Sequence, residues 1–171
     1  MRRRELLAGL GGLGVVGGAG YVALNGVGLD GGLPLTVRTL DAPGSTAGER
    51  TLPVPDSPTV LDLFATWCAP CSEQMESLTT LHREFGDRVA FVSVTNERFG
   101  GGLSAADVRE WWVDHDGAWT VAHDPESDLM RELQAGGLPF LAVADADGTV
   151  TWTHRGLAAE SALRDEIRAV L

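Results

Sequence analysis

Cys68 and Cys71, the only cysteines in 171 residues, stand three positions apart where one sequence pattern gives way to another. Ahead of them runs Val60-Leu61-Asp62-Leu63-Phe64-Ala65, an apolar stretch of the kind that fills a central strand. Behind them Met75, Leu78, Leu81 and Phe85 recur at helical spacing, and Gly86 marks the stop. A strand that hands over to a helix at a C-x-x-C pair places Cys68 at the helix N-terminus. There, unpaired backbone N–H groups and the positive end of the helix dipole favour a thiolate. Such sites lower a thiol pKa from about 8.5 to as little as about 3.5, and the thiolate is the nucleophile. Cys71 falls on the same helical face and is expected to be the more buried of the two. Pro70 suits a first turn, since the N–H it lacks would have had no helical partner. The pattern implies disulfide exchange, with Cys68 attacking and Cys71 resolving.

The rest of the chain supplies a frame for this junction. Leu35 to Leu40 alternates like a half-buried strand, and a Pro/Gly/Ser loop follows through Gly48. Thr51 to Pro58 holds three prolines, so a strand there belongs at an edge. Val89 to Val94 reads as a second buried strand. Ser104 and Asp107 form a capping box that opens a helix carrying Val108, Trp111 and Trp112 toward the core. A short strand around Trp119-Thr120-Val121 and a helix from Glu126 to about Gln134 come next. Phe140–Ala144 and Thr149–Thr153 flank Asp145-Ala146-Asp147-Gly148, a hairpin signal. A last helix presents Leu163, Ile167 and Val170 on one face. Alternating strands and helices ending in a hairpin and a helix indicate an α/β domain with a mixed sheet.

The first 34 residues are of another kind. Arg2, Arg3 and Arg4 precede Leu6–Leu29, 24 uncharged residues of which nine are glycine. As a helix this stretch would be about 36 Å long, enough to cross roughly 30 Å of hydrocarbon. Its order, positive then apolar, is that of an export signal or membrane anchor. Arg3-Arg4-Glu5-Leu6-Leu7 also resembles a twin-arginine signal. No A-x-A-like cleavage site follows, which favours a retained anchor. Residues 1–29 are therefore read as signal or anchor, 30–34 as linker and 35–171 as the folded domain. Without residues 1–29 the chain carries 10 arginines against 23 acidic residues and no lysine. That balance excludes nucleic acid as a partner, for want of a basic patch, and resembles the surfaces of halophilic proteins.

Asp62-Leu63-Phe64-Ala65-Thr66-Trp67-Cys68-Ala69-Pro70-Cys71 resembles the active-site region of the thioredoxin superfamily. Its A-T-W-C-x-P-C form is most similar to the TlpA/ResA-like branch of extracytoplasmic, often membrane-anchored oxidoreductases. The resemblance runs over roughly residues 35–171. It implies a thioredoxin-like fold: a mixed central sheet flanked by helices, an N-terminal strand extension, and a helix inserted before Pro139. It implies a cis-proline loop facing the cysteines, matched by Gly137-Leu138-Pro139-Phe140, with the Leu138 backbone pairing with the client chain and Pro139 shielding the disulfide. Phe140 departs from the threonine common after that proline. Asp62 matches the family's buried acid below the second cysteine. A carboxyl in an apolar strand has its pKa raised, and Asp62 would take the proton of Cys71. Trp67 joins the apolar rim that faces the client, as does Pro70. Protein thiols and disulfides are the implied clients, with a membrane or extracytoplasmic thiol as electron donor or acceptor. Cytochrome c maturation is a client pathway of this branch, and no cofactor is required.

Other readings of the pair stand beside this one. Zinc needs two more ligands, and His82, His115, His123 and His154 are scattered without paired spacing. Thiolates hold Cu(I) well, but copper-delivering relatives carry C-x-x-x-C and a later histidine. A static disulfide is a third reading, although a loop so short stabilises little. A peroxidase-type relative would carry its reactive cysteine without this helix start. Trp111, Trp112, Trp119 and Trp152 read as core packing, and Glu73, Glu76 and Glu84 as a solvated helix face.

Overall fold

The computed structural model describes residues 32–171, so the signal or anchor read at residues 1–29 lies outside the described residues. The strands are β1 (Leu35–Thr39), β2 (Gly48–Leu52), β3 (Thr59–Phe64), β4 (Ala90–Thr95), β5 (Thr120–His123), β6 (Phe140–Ala144) and β7 (Val150–Arg155). The helices are α1 (Ala69–Phe85), α2 (Ala105–Asp114), α3 (Asp128–Glu132) and α4 (Glu160–Ala169). One seven-stranded sheet runs in the order β2-β1-β5-β4-β3-β6-β7. β3, β4 and β5 are parallel, joined by crossovers through α1 and α2, while β6 and β7 return antiparallel beside β3. β1 and β2 extend the other side as an antiparallel pair, with Leu35 opposite Leu52. The expected mixed α/β architecture is therefore present. Among the described residues no helix is long and apolar enough to cross a membrane.

All six residues of β3 are buried, which explains its near-continuous apolar sequence. Its alternate residues serve two core layers. Val60 and Phe64 join Met75, Leu78, Leu81 and Phe85 of α1, Trp112 of α2, and Leu163 and Ile167 of α4. Leu61 and Leu63 join Val92, Val94, Ala142 and Leu129 of α3. Burying each large side chain of the α1 stripe contributes about 1.5–3 kcal/mol. Asp62 shares the parity of Val60 and Phe64, so it belongs to the α1 side of the sheet.

The capping box of α2 forms as expected: Asp107 N–H donates to Ser104 Oγ, and Asp107 Oδ2 accepts from Ser104 N–H at 2.7 Å. Gly148 turns the β6–β7 hairpin with φ of 83°. Gly117 meets a different demand. A Cβ there would come within 2.2 Å of the Trp112 ring, so only glycine lets that indole pack and donate to Pro43 O at 3.0 Å.

Three local expectations need correction. α3 spans Asp128–Glu132, not Glu126 to Gln134, because Ser127 and Gln134 both adopt left-handed φ (59° and 52°). Asp124 Oδ2 accepts the Leu129 N–H at 2.8 Å, satisfying one of the short helix's opening donors. β2 starts at Gly48 and ends before Pro53, since pairing with β1 recruits residues that read locally as loop. Finally, Glu84 is not merely solvated: it accepts from Arg164 at 2.9 Å and Arg168 at 3.1 Å, pinning α1 to α4.

Candidate active site

Cys68 is the N-cap of α1, with extended backbone (φ −90°, ψ 99°), and Pro70 lies in the first turn. The Cys68 carbonyl opens the helix by accepting from the Cys71 and Ser72 N–H groups at 3.0 and 3.3 Å. No side chain caps this terminus, so its dipole acts directly on the Cys68 sulfur. Cys68 and Cys71 form a disulfide with Cα atoms 5.2 Å apart. Cys71 is the more buried, but by little: 2% of it is exposed against 4% of Cys68. Helix position distinguishes the two thiols more clearly than accessibility does. Trp67 beside them is 75% exposed, an apolar surface next to the disulfide, and Pro70 is exposed as well.

Asp62 lies in β3 on the same side of the sheet as α1. Burial removes water from its carboxyl and pushes its pKa up to about 7, only partly offset by a hydrogen bond from Ser93. Ser93 Oγ donates to Asp62 Oδ2 at 2.8 Å across the β3–β4 register, while Oδ1 is buried without a partner. Divided between its neutral and ionised forms near pH 7 and short of one hydrogen bond, this carboxyl is suited to exchanging a proton.

Glu97, just past β4, holds the approach to Cys68 and was not singled out from the sequence. Its Oε2 accepts the Thr66 N–H at 2.8 Å and the Thr95 hydroxyl at 3.0 Å, and its Oε1 accepts the Thr66 hydroxyl at 2.8 Å. Thr66 sits in the turn closed by Cys68 N–H on Ala65 O at 3.1 Å. Glu97 thus anchors the link that carries Cys68 from strand to helix. Gln74 was missed too. Fully buried on α1, it accepts the Ala158 N–H at 2.8 Å. Gly156, two residues earlier, donates to Pro139 O at 2.8 Å. These bonds tie α1 and the Pro139 loop to one segment after β7. Glu97 and Gln74 meet partners 31 and 84 positions away, and no local signal marks those contacts.

The Leu138–Pro139 bond is cis, Pro139 is buried, and Leu138 is half-buried against both core layers. Phe140 is buried as the first residue of β6, opposite Leu63, so its bulk belongs to the core layer away from α1. The four histidines are dispersed among aromatic contacts: His82 with Phe91 and Trp119, His115 on Trp111, His123 on Phe99, and His154 on Trp152. Among the described residues no group of three or more His, Cys, Asp and Glu side chains is placed to hold a metal ion. Trp112 and Trp119 are core residues. Trp111 is half-buried and stacks on Phe64, with ring centroids 4.7 Å apart.

A mixed sheet whose strand–helix junction presents a C-x-x-C disulfide, with a cis-proline before an antiparallel strand, is the architecture of thioredoxin-like redox proteins. The chain belongs to the Redoxin family, whose model matches residues 44–171. It is similar to thioredoxin Y2 of Arabidopsis thaliana chloroplasts, at 30% identity over 66 residues (39% of this chain and 40% of that protein). It is also similar to the thioredoxin-like protein YneN of Bacillus subtilis, at 25% identity over 97 residues (57% and 55%). These matches therefore span about half the length of the curated relatives. In fold it resembles a secreted Mycobacterium tuberculosis disulfide oxidoreductase homologous to E. coli DsbE. That likeness has a TM-score of 0.66 at 18% identity and covers 80% of this chain and 96% of that one.

Proposed function

We propose that this protein is an extracytoplasmic thiol–disulfide oxidoreductase of the TlpA/ResA-like type, acting on protein clients. The observation that carries the reading is the Cys68–Cys71 disulfide at an uncapped helix N-terminus, with a carboxyl whose pKa burial raises to about 7 on the same side of the sheet. In the reducing direction, the Cys68 thiolate attacks a client disulfide, forming a Cys68–client bond and releasing one client sulfur as thiolate. Cys71 passes its proton to Asp62 and attacks the Cys68 sulfur. The Cys68–Cys71 disulfide forms, the second client sulfur leaves as thiolate, and two electrons have moved to the client. A thiol donor outside the cytoplasm then reduces the pair again. Leu138 pairs its backbone with the client, Pro139 shields the disulfide, and Trp67 and Pro70 supply the apolar rim.

The location outside the cytoplasm is supported by the arginine-led apolar segment at residues 1–29, by the secreted relative of similar fold, and by the tendency of disulfides to persist in oxidising compartments. Cytochrome c maturation is the client pathway we assign, on resemblance to this branch. The test is turnover of a model disulfide substrate by the full-length protein and its cysteine variants. Exchange lost in Cys68→Ser, with mixed disulfides accumulating in Cys71→Ser, is the expected result. Full exchange by Cys68→Ser would overturn the mechanism.

A further inference from the structure

Asp62 is the end of a buried chain of donors. Trp119 Nε1 lies 2.9 Å from Ser93 Oγ, and Ser93 Oγ lies 2.8 Å from Asp62 Oδ2. All three residues are at most 3% exposed. An indole N–H donates and never accepts, so Ser93 Oγ must accept from Trp119. The hydroxyl has one proton to give, and Asp62 Oδ2 is its one acceptor among the described contacts. If Asp62 instead donated from Oδ2, both the Ser93 proton and Oδ1 would be buried without partners, whereas a proton on Oδ1 leaves only that one group unpaired, at the smaller desolvation cost. The chain therefore has a direction. Oδ2 is held as an acceptor, and the acid's own proton falls to Oδ1, the oxygen that is buried and unpartnered.

We infer that Trp119 and Ser93 are positioning residues that direct the proton of Asp62 onto Oδ1, leaving that oxygen to trade the proton with Cys71. This deepens the function proposed above and rests on it for the role of Cys71. As Cys71 Sγ–H gives its proton to Oδ1, the sulfur attacks Cys68 and the client thiolate departs. Oδ2 keeps its hydrogen bond throughout, so Ser93 need not rotate during the transfer. Trp119 is itself fixed by Trp112 (centroids 4.9 Å apart) and His82 (5.2 Å).

The surroundings leave few other sources of charge. Asp62 faces Ser93 of β4 and Leu141 of β6 across the register, within a layer built from α1, α2 and α4. Cys68 and Cys71 in that layer are silent as a disulfide; at its margins His82 touches Trp119, His115 stacks on Trp111, His154 stacks on Trp152, and Arg88 and Arg168 lie over Phe85. His82 is pushed below the usual histidine range by loss of water, with Asp87 acting the other way.

The full-length protein in its disulfide form tests the inference without catalysis. The Trp119 indole N–H resonance, assigned through Trp119→Phe, and the Asp62 carboxyl carbon are followed from about pH 4 to pH 10. Both are expected to step at one midpoint near 7, and Asp62→Asn to remove both steps. Ser93→Ala should leave Trp119 flat while the Asp62 midpoint rises by roughly half a unit or more, because the hydrogen bond that favours the anion is gone. Trp119→Phe should place that midpoint between wild type and Ser93→Ala, a second reading if the alanine variant does not fold. A Trp119 step that survives in Asp62→Asn assigns it to His82 and overturns the inference. So does an Asp62 carbon that titrates while Trp119 stays flat in the wild type, or one flat over the whole range. If these signals behave as expected but the reduced protein does not exchange disulfides, the proposed function fails and the directed chain stands.

Discussion

In the mechanism proposed above Asp62 is the floor of the disulfide site while Glu97 holds its rim through Thr66, and these two carboxyls stand under opposite conditions. Asp62 on the floor is sealed in the sheet, accepts a single hydrogen bond and leaves one oxygen bare. Glu97 at the rim is half-buried and uses both oxygens, accepting three hydrogen bonds from Thr66 and Thr95. A carboxyl that lacks partners is pushed toward neutrality and becomes able to carry a proton. One saturated with donors serves as a fixed anchor. Two side chains of similar chemistry thus divide the work around one pair of cysteines, the difference being made by what surrounds them.

The largest effect belongs to the cysteines. Cys68→Ser should reduce exchange to background, and Cys71→Ser should accumulate mixed disulfides visible on non-reducing gels. Next comes the floor. Asp62→Asn should slow exchange by roughly a hundredfold at neutral pH, as expected for losing a general base, measured as turnover against pH.

The same variant tests stability, with a definite sign. The folded pKa of Asp62 is raised to about 7 from 3.8, so the folded state binds the proton more tightly than the unfolded chain. Stability is unaffected below the lower value, falls as pH rises between the two, and is level above the upper. Urea unfolding should show Asp62→Asn more stable than wild type at pH 8.5, by roughly 4 kcal/mol at most. Near pH 4 the two should be alike. An equal difference at both values would contradict the burial of a titrating carboxyl.

Glu97 sharpens the contrast because its variant should fail in another way. Glu97→Ala strips acceptors from Thr66 and should cost about 2–3 kcal/mol by denaturant midpoint, with slower exchange. The pH dependence assigned to Asp62 should persist unchanged. The smallest effect is expected at the exposed ion pairs between α1 and α4. Glu84→Ala breaks the pairs with Arg164 and Arg168, which are solvent-exposed enough to be screened. Its thermal midpoint should differ little from wild type and converge with it in high salt.

Much of this frame was legible in the sequence. The apolar run of β3, the stripe Met75-Leu78-Leu81-Phe85, the Ser104–Asp107 capping box and the Asp145–Gly148 hairpin each depend on patterns within a few residues. The reading of Asp62 as buried came from its match to the buried acid of the thioredoxin superfamily, and its otherwise apolar strand implied a raised pKa. What escaped depends on register between distant segments. Asp62 meets Ser93 because β3 and β4 align in parallel, and Trp119 reaches Ser93 from 26 residues away. Glu97 meets Thr66 across 31 positions, and Gln74 meets Ala158 across 84. α3 proved shorter than its periodicity suggested because left-handed residues stand at both ends, a choice the tertiary packing makes.

The central claim is that the Cys68–Cys71 pair cycles between disulfide and dithiol. The most direct test is its equilibrium potential in the full-length protein, read from the fraction oxidised in a series of thiol buffers at high salt. Reversible reduction is expected within the superfamily's span of about −270 to −120 mV. A pair that stays oxidised below about −300 mV would be a static staple and would contradict it.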